Sequence, residues 1–206
     1  MLKSEFAELA ERASIGIGIV FSRIPITPNA WTVLSIVPAL AGFWLLVEGS
    51  MPEALGCFAL SALLDVVDGG VARVTGRVTA LGAYLDGMID RLVEALLLFG
   101  LMLYGVETFI IPGYAWAAVV LFSGTVMTSY ARAYAEHRKA LDEEQVKRMP
   151  GFLERAERLV IIFAGMVAGC LYSPLYLSYA LALAALLASI TVIQRISYVI
   201  RTTSKA

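Results

Sequence analysis

Residues 65–73 read Asp65-Val66-Val67-Asp68-Gly69-Gly70-Val71-Ala72-Arg73, and residues 82–90 read Gly82-Ala83-Tyr84-Leu85-Asp86-Gly87-Met88-Ile89-Asp90. An apolar run leads into the first stretch, and another leads away from the second. Asp65 and Asp68 are three residues apart, and Asp86 and Asp90 are four apart, so on helices each pair shares one face. A charged side chain at the centre of a membrane helix costs roughly 2.5–3.5 kcal/mol on insertion scales, and such groups normally face a polar cavity. Too few cations lie nearby in sequence to neutralise four carboxylates. Two helices joined by a short hairpin would bring the four acids into one pocket. The chain therefore reads as an all-α integral membrane protein whose polar interior has a chemical purpose.

Composition agrees. Of 206 residues, 59% are hydrophobic, and the formal net charge is −1. The mean hydropathy is +0.78. A soluble domain of this size carries more polar surface, and no net field is present to recruit nucleic acid. With about 20 apolar residues needed per crossing, six spans are expected near 31–50, 53–72, 79–104, 108–133, 154–172 and 175–198. Residues 2–14 read as an amphipathic helix, with Leu2, Phe6, Leu9, Ala10 and Ala13 on one face. The expected organisation is thus an interfacial helix over 1–22 and a six-helix domain over 23–206. No Lys or Arg occurs between Arg23 and Arg73, between Arg91 and Arg132, or between Arg158 and Arg195. By the positive-inside rule, both termini and the loops near 73–78 and 134–152 are expected on the cytoplasmic side of a cell membrane. Cys57 and Cys170 read as small buried hydrophobes. His137 and the polar segment 136–149 read as solvated.

The four aspartates offer hard oxygen ligands, which suit Mg²⁺ or Mn²⁺ and not zinc. Four carboxylates can hold two cations, and a two-metal clamp suits displacement at phosphorus. Gly69, Gly70 and Ala72 allow a ligand close to the backbone. Arg73 adds a fixed cation suited to phosphate. Gly82 lies one turn before Asp86 on the same stripe. Arg91 and Glu94, three apart, suit an ion pair that fixes helix packing.

The pattern DxxDGxxAR, eight residues, then GxxxDxxxD is met at all eight fixed positions. It resembles the signature of the CDP-alcohol phosphotransferases, and the six-helix layout is similar to theirs. The resemblance implies that Asp65, Asp68 and Asp86 ligate metal, and that Asp90 is the general base and touches metal as well. It implies a CDP-lipid site at Asp65, Asp68, Gly69, Ala72, Arg73 and Gly82. The start of span one, Thr27-Pro28-Asn29-Ala30-Trp31-Thr32, looks like the family's too, placing Asn29 and Thr32 near the nucleotide. The implied reaction displaces CMP from a CDP-linked lipid by an acceptor hydroxyl, in a homodimeric enzyme.

The acceptor must be read outside the signature. Arg132 ends span four, and Arg155 and Arg158 open span five. Arginines at a helix N-terminus oppose the helix dipole, and a bound phosphate resolves the conflict. The segment Glu154-Arg155-Ala156-Glu157-Arg158 resembles that of family members using inositol phosphate, as does Ser129-Tyr130-Ala131-Arg132-Ala133. Tyr134 departs, standing where some relatives carry a second basic residue. A phosphorylated polyol, inositol 1-phosphate first and glycerol 3-phosphate second, is the expected acceptor. The rival class is an ion or proton-coupled transporter, since intramembrane carboxylates also mark ion paths. Clustering of the acids toward one end of two adjacent helices speaks against a mid-membrane transport site.

Overall fold

A computed structural model describes residues 14–204. Among them the architecture is all-helical, with an isolated Phe109–Ile111 bridge and no strand. The described part of α1 covers 14–21. It is followed by α2 (Pro28–Leu34), α3 (Ile36–Val47), α4 (Met51–Val74), α5 (Ala80–Tyr104) and α6 (Gly113–Val119). A π-helical stretch, Val120–Met127, joins α6 to α7 (Thr128–His137). The short α8 (Glu143–Lys147), α9 (Arg155–Leu171) and α10 (Leu175–Thr203) complete the order.

Local chemistry sets these boundaries. Pro38 lacks an N–H and crowds the preceding turn, so the first apolar segment breaks at Ser35 between α2 and α3. At this break the Ser61 hydroxyl of α4 donates to the Ser35 carbonyl at 2.8 Å. Thr79 caps α5 by accepting from the Gly82 N–H at 3.0 Å. Gly105, left-handed at φ 85°, ends it. The fourth apolar segment begins later than expected, because Pro112 is the cap residue of α6 and residues 106–111 turn outside it.

Among the described residues, three helical segments are long and apolar enough to cross a membrane: Pro28–Val47, Met51–Val74 and Leu175–Thr203. Their surroundings are inverted relative to a soluble protein. Leu40, Trp44, Leu63, Leu92, Phe99, Val160, Leu183 and Ile193 point outward, whereas Asp68, Glu94, Arg158 and Arg195 are buried. An apolar exterior this extensive marks a membrane-facing surface.

Small residues let the helices close up, the usual packing device in lipid. Gly42 admits Phe58 and Gly100 admits Leu46, where a Cβ would come within 2.8 and 2.6 Å respectively. Ala182, Ala184, Ala185 and Ala188 line the buried face of α10.

The interfacial helix expected over 1–22 falls largely outside the described residues. Its described part, 14–21, packs inward. Ile17 and Phe21 join Trp31, Val67 and Val71 in a small core. Cys57 is half-buried, but Cys170 is exposed, because it lies on the outward face of α9. His137 is exposed, and the polar segment contains α8.

Candidate active site

The ends of α4 and α5 nearest their connecting turn carry the four aspartates. Asp65, Asp68 and Asp86 each offer a carboxylate oxygen, and these oxygens lie within 4.8 Å of one another. Asp68 is buried, and its Oδ2 has no hydrogen-bond partner. An orphaned anionic oxygen beside two further carboxylates is unfavourable unless a cation joins it. The donor set is all oxygen, so it fits a hard divalent ion.

Asp90 stands apart from that trio. Its Oδ1 lies 2.5 Å from Arg155 Nη1, and its Oδ2 lies 3.5 Å from Arg91 Nη1. Arg155 Nη1 is also 3.7 Å from Asp65 Oδ2. Arg155 therefore spans the gap between the two carboxylates.

A cavity of about 770 Å³ opens on the carboxylates. Asn29, Thr32, Asp65, Asp68, Gly69, Ala72, Arg73 and Gly82 all line it, with Asp86. Three glycines here, Gly69 and Gly82 of the signature and Gly70 next to Gly69, have distinct physical reasons. The Arg73 guanidinium lies over Gly69, 3.5 Å from where a Cβ would stand. Gly70 meets the backbone of Ser14 and Gly18, which lets α1 lie directly on α4. A Cβ on Gly82 would come within 3.0 Å of Asn29 Oδ1. The Ser14 hydroxyl accepts a hydrogen bond from Arg73, so α1 helps to orient the cavity's cation.

A second cavity of about 330 Å³ is lined in part by Arg155, which reaches Asp65 of the first. Arg132, Arg155 and Arg158 all line it, together with Arg91 and Arg195. The Nε groups of Arg132 and Arg155 are buried without hydrogen-bond partners. Arg158 differs. Its Nε and Nη2 donate to the two oxygens of Glu94 at 2.5 and 2.9 Å, and both side chains are buried. The Arg91–Glu94 pair expected from their spacing does not form. Glu94 turns toward α9, while Arg91 turns toward α7 and donates to Ser129 Oγ at 3.2 Å. The dipole at the start of α9 is met within the chain, because Glu157 accepts from the Glu154 N–H at 2.9 Å.

The CDP-alcohol phosphatidyltransferase family model matches residues 25–194. The chain belongs to the CDP-alcohol phosphatidyltransferase family. Within that family it is 40% identical to the archaetidylinositol phosphate synthase of Aeropyrum pernix, over 86% of this chain and 85% of that one. It is 34% identical to the archaetidylinositol phosphate synthase of Methanothermobacter thermautotrophicus, over 87% and 86%. Among solved phosphatidyltransferases, the phosphatidylinositol phosphate synthase of Mycobacterium tuberculosis with CDP-DAG bound superposes with a TM-score of 0.76. Identity there is 27%, covering 91% of this chain and 94% of that one. The same enzyme in complex with manganese and citrate gives a TM-score of 0.75, at 27% identity, over 90% and 88%.

Three residues of this phosphatidyltransferase site escape the sequence reading. Ser14 has no pattern to announce it. Arg77, which lines the larger cavity, reads only as an orienting charge. Arg195 carries a usable signal, being a cation inside the apolar α10, ahead of Arg201 near its end. It is 6% exposed and donates to the carbonyls of Thr128, at 2.5 Å, and Pro150, at 3.3 Å.

Proposed function

We propose that the chain transfers the lipid phosphate group of a CDP-linked lipid to a hydroxyl of inositol 1-phosphate, releasing CMP. One observation carries this reading. Arg155, which lines the arginine-rich cavity, reaches both Asp65, a wall residue of the carboxylate-lined cavity, and Asp90. The carboxylate-lined cavity suits a pyrophosphate with its metal. The arginine-rich one suits an anionic acceptor, since the buried, unpaired Nε–H groups of Arg132 and Arg155 call for oxygen ligands.

In this mechanism Asp65, Asp68 and Asp86 would hold a divalent cation, Mg²⁺ or Mn²⁺, and Asp90 would complete the set for a second. Bound there, it would supply neutralisation of the pyrophosphate charge and so make CMP a better leaving group. Asn29, Thr32, Gly69, Ala72, Arg73 and Gly82 bind and orient the CDP moiety. Arg132, Arg155 and Arg195 hold the acceptor's phosphate. Asp90 takes the proton of the attacking hydroxyl. The acceptor oxygen bonds to the lipid-linked β-phosphorus, and the bond to CMP breaks.

The named relatives support CDP-archaeol as donor ahead of CDP-diacylglycerol. The reading includes six crossings, with α5, the segment from α6 to α7, and α9 added to the three apolar spans. It also places both termini and the site on the cytoplasmic side, in a homodimer. The absence of basic residues at the opposite helix ends supports that orientation.

The test is an acceptor panel. Purified protein is given each CDP-lipid with inositol 1-phosphate, glycerol 3-phosphate, serine or free inositol, and CMP is measured. Inositol 1-phosphate is expected to give the highest kcat/KM. Preference for serine or free inositol would sink the anion-site reading. Preference for glycerol 3-phosphate would keep the reaction and replace the acceptor.

A further inference from the structure

Five guanidiniums surround the smaller cavity, and they are not equivalent. Arg158 has its Nε and Nη2 engaged by Glu94 in a two-pronged contact, with the side chains 3% and 1% exposed. A guanidinium held in this way is poorly placed to turn toward a ligand.

Its stem is seated on the π-helical stretch. A Cβ on Gly124 would come within 2.9 Å of both Arg158 Cδ and Nε, and within 3.2 Å of Cζ. A free arginine could swing aside, but Glu94 pins this one. The same turn carries a second arginine. The Thr128 hydroxyl donates to the Gly124 carbonyl, and the Thr128 carbonyl accepts from Arg195 Nη1. One widened turn thus seats Arg158 and anchors Arg195. Single π-turns inside α-helices are frequent at functional sites, and here the π-helical stretch runs straight into the Ser129–Arg132 wall of the cavity.

We propose that Glu94 and Gly124 are positioning residues for the acceptor pocket, and that Arg158 is the strut between them rather than a phosphate ligand. The proposal rests on the acceptor reading of that cavity. The pair neutralises one of the five cations and fixes the floor against which Arg132, Arg155 and Arg195 present themselves. Specificity for a phosphorylated acceptor then depends on residues that do not touch it.

Two variants test this. Gly124→Ala pushes against the pinned stem. Because small misplacements of a binding constellation are costly, the acceptor KM is expected to rise roughly ten- to a hundredfold, with the CDP-lipid KM unchanged. The double variant Glu94→Met with Arg158→Met replaces the buried pair by apolar groups, an exchange that proteins often tolerate in stability. It is expected to remain folded and to bind CDP-lipid normally, but to show a raised acceptor KM and weaker inhibition by inorganic phosphate. A purely structural pair predicts the opposite, with the acceptor KM retained in any variant that folds.

Wild-type protein that saturates with no phosphorylated polyol defeats the acceptor reading itself. Wild-type protein that saturates with inositol 1-phosphate, while both variants keep its KM, defeats only the strut. Loss of CDP-lipid binding in both variants makes the pair a folding element and also overturns the proposal.

Discussion

The two halves of the site are built in opposite ways. The carboxylate half comes from one stretch of chain. Asp65, Asp68, Asp86 and Asp90 lie within 26 consecutive residues on α4, a turn and α5. The arginine half is gathered from α5, α7, α9 and α10, which lie far apart in sequence. Local spacing sets the first, and tertiary packing sets the second. The difference matches the chemistry, because every acceptor requires the same departure of CMP, whereas the acceptor itself can vary.

The sharpest way to break the comparison is to act on the carboxylate half. Removing divalent metal with a chelator is expected to abolish CMP release, and adding Mg²⁺ or Mn²⁺ back to restore it. Activity that survives exhaustive chelation would leave the Asp65–Asp68–Asp86 cluster without its assigned role. Next in size is Asp90→Asn, which keeps the shape but loses the proton acceptor. Loss of a general base typically costs about 10²–10⁴-fold, so kcat is expected to fall by that much, with both KM values little changed. A variant that instead loses CDP-lipid binding would move Asp90 from proton transfer to substrate binding.

The arginine half predicts a different signature. Arg195→Met removes a cation that two carbonyls hold at the cavity wall. A hydrogen bond to a charged group contributes about 1.5–3 kcal/mol, so the acceptor KM is expected to rise roughly ten- to a hundredfold. The CDP-lipid KM should stay put. Equal rises in both would mean that the two cavities work as one, and the comparison would collapse.

How much of this was legible beforehand follows from the same contrast. The aspartates, their helices and the signature residues that line the larger cavity were readable because each relation spans a few residues of one helix or hairpin. The cation pocket was readable only where its arginines began or ended an apolar run, as Arg132, Arg155 and Arg158 do. Arg195 lies within such a run and marks neither end of it. For Glu94, helical spacing favours Arg91, its neighbour at i−3. The partner actually chosen is 64 residues away, and no spacing rule reaches that far. The break at Ser35 follows from Pro38, whereas the π-helical stretch has no comparable residue to announce it.

The smallest expected effect lies at the edge of the arginine half, on α8. Lys147 donates to Glu143 at 2.8 Å, and both side chains are exposed. That hydrogen bond first, and the lysine charge second, hold the Glu143 carboxyl below its ordinary value. The sign is that of a depressed acid: any stabilisation exists above its unfolded value and fades as pH falls through its folded one. Exposed i,i+4 pairs contribute little and are screened by salt. Lys147→Ala is therefore expected to leave both the melting temperature and the acceptor KM unchanged at neutral pH. Val146 and Met149, by contrast, are buried against Tyr198 and Val199 of α10, so α8 is held by its apolar side. A raised acceptor KM in Lys147→Ala would extend the acceptor pocket beyond the arginines onto α8, and its boundary would have to be redrawn there.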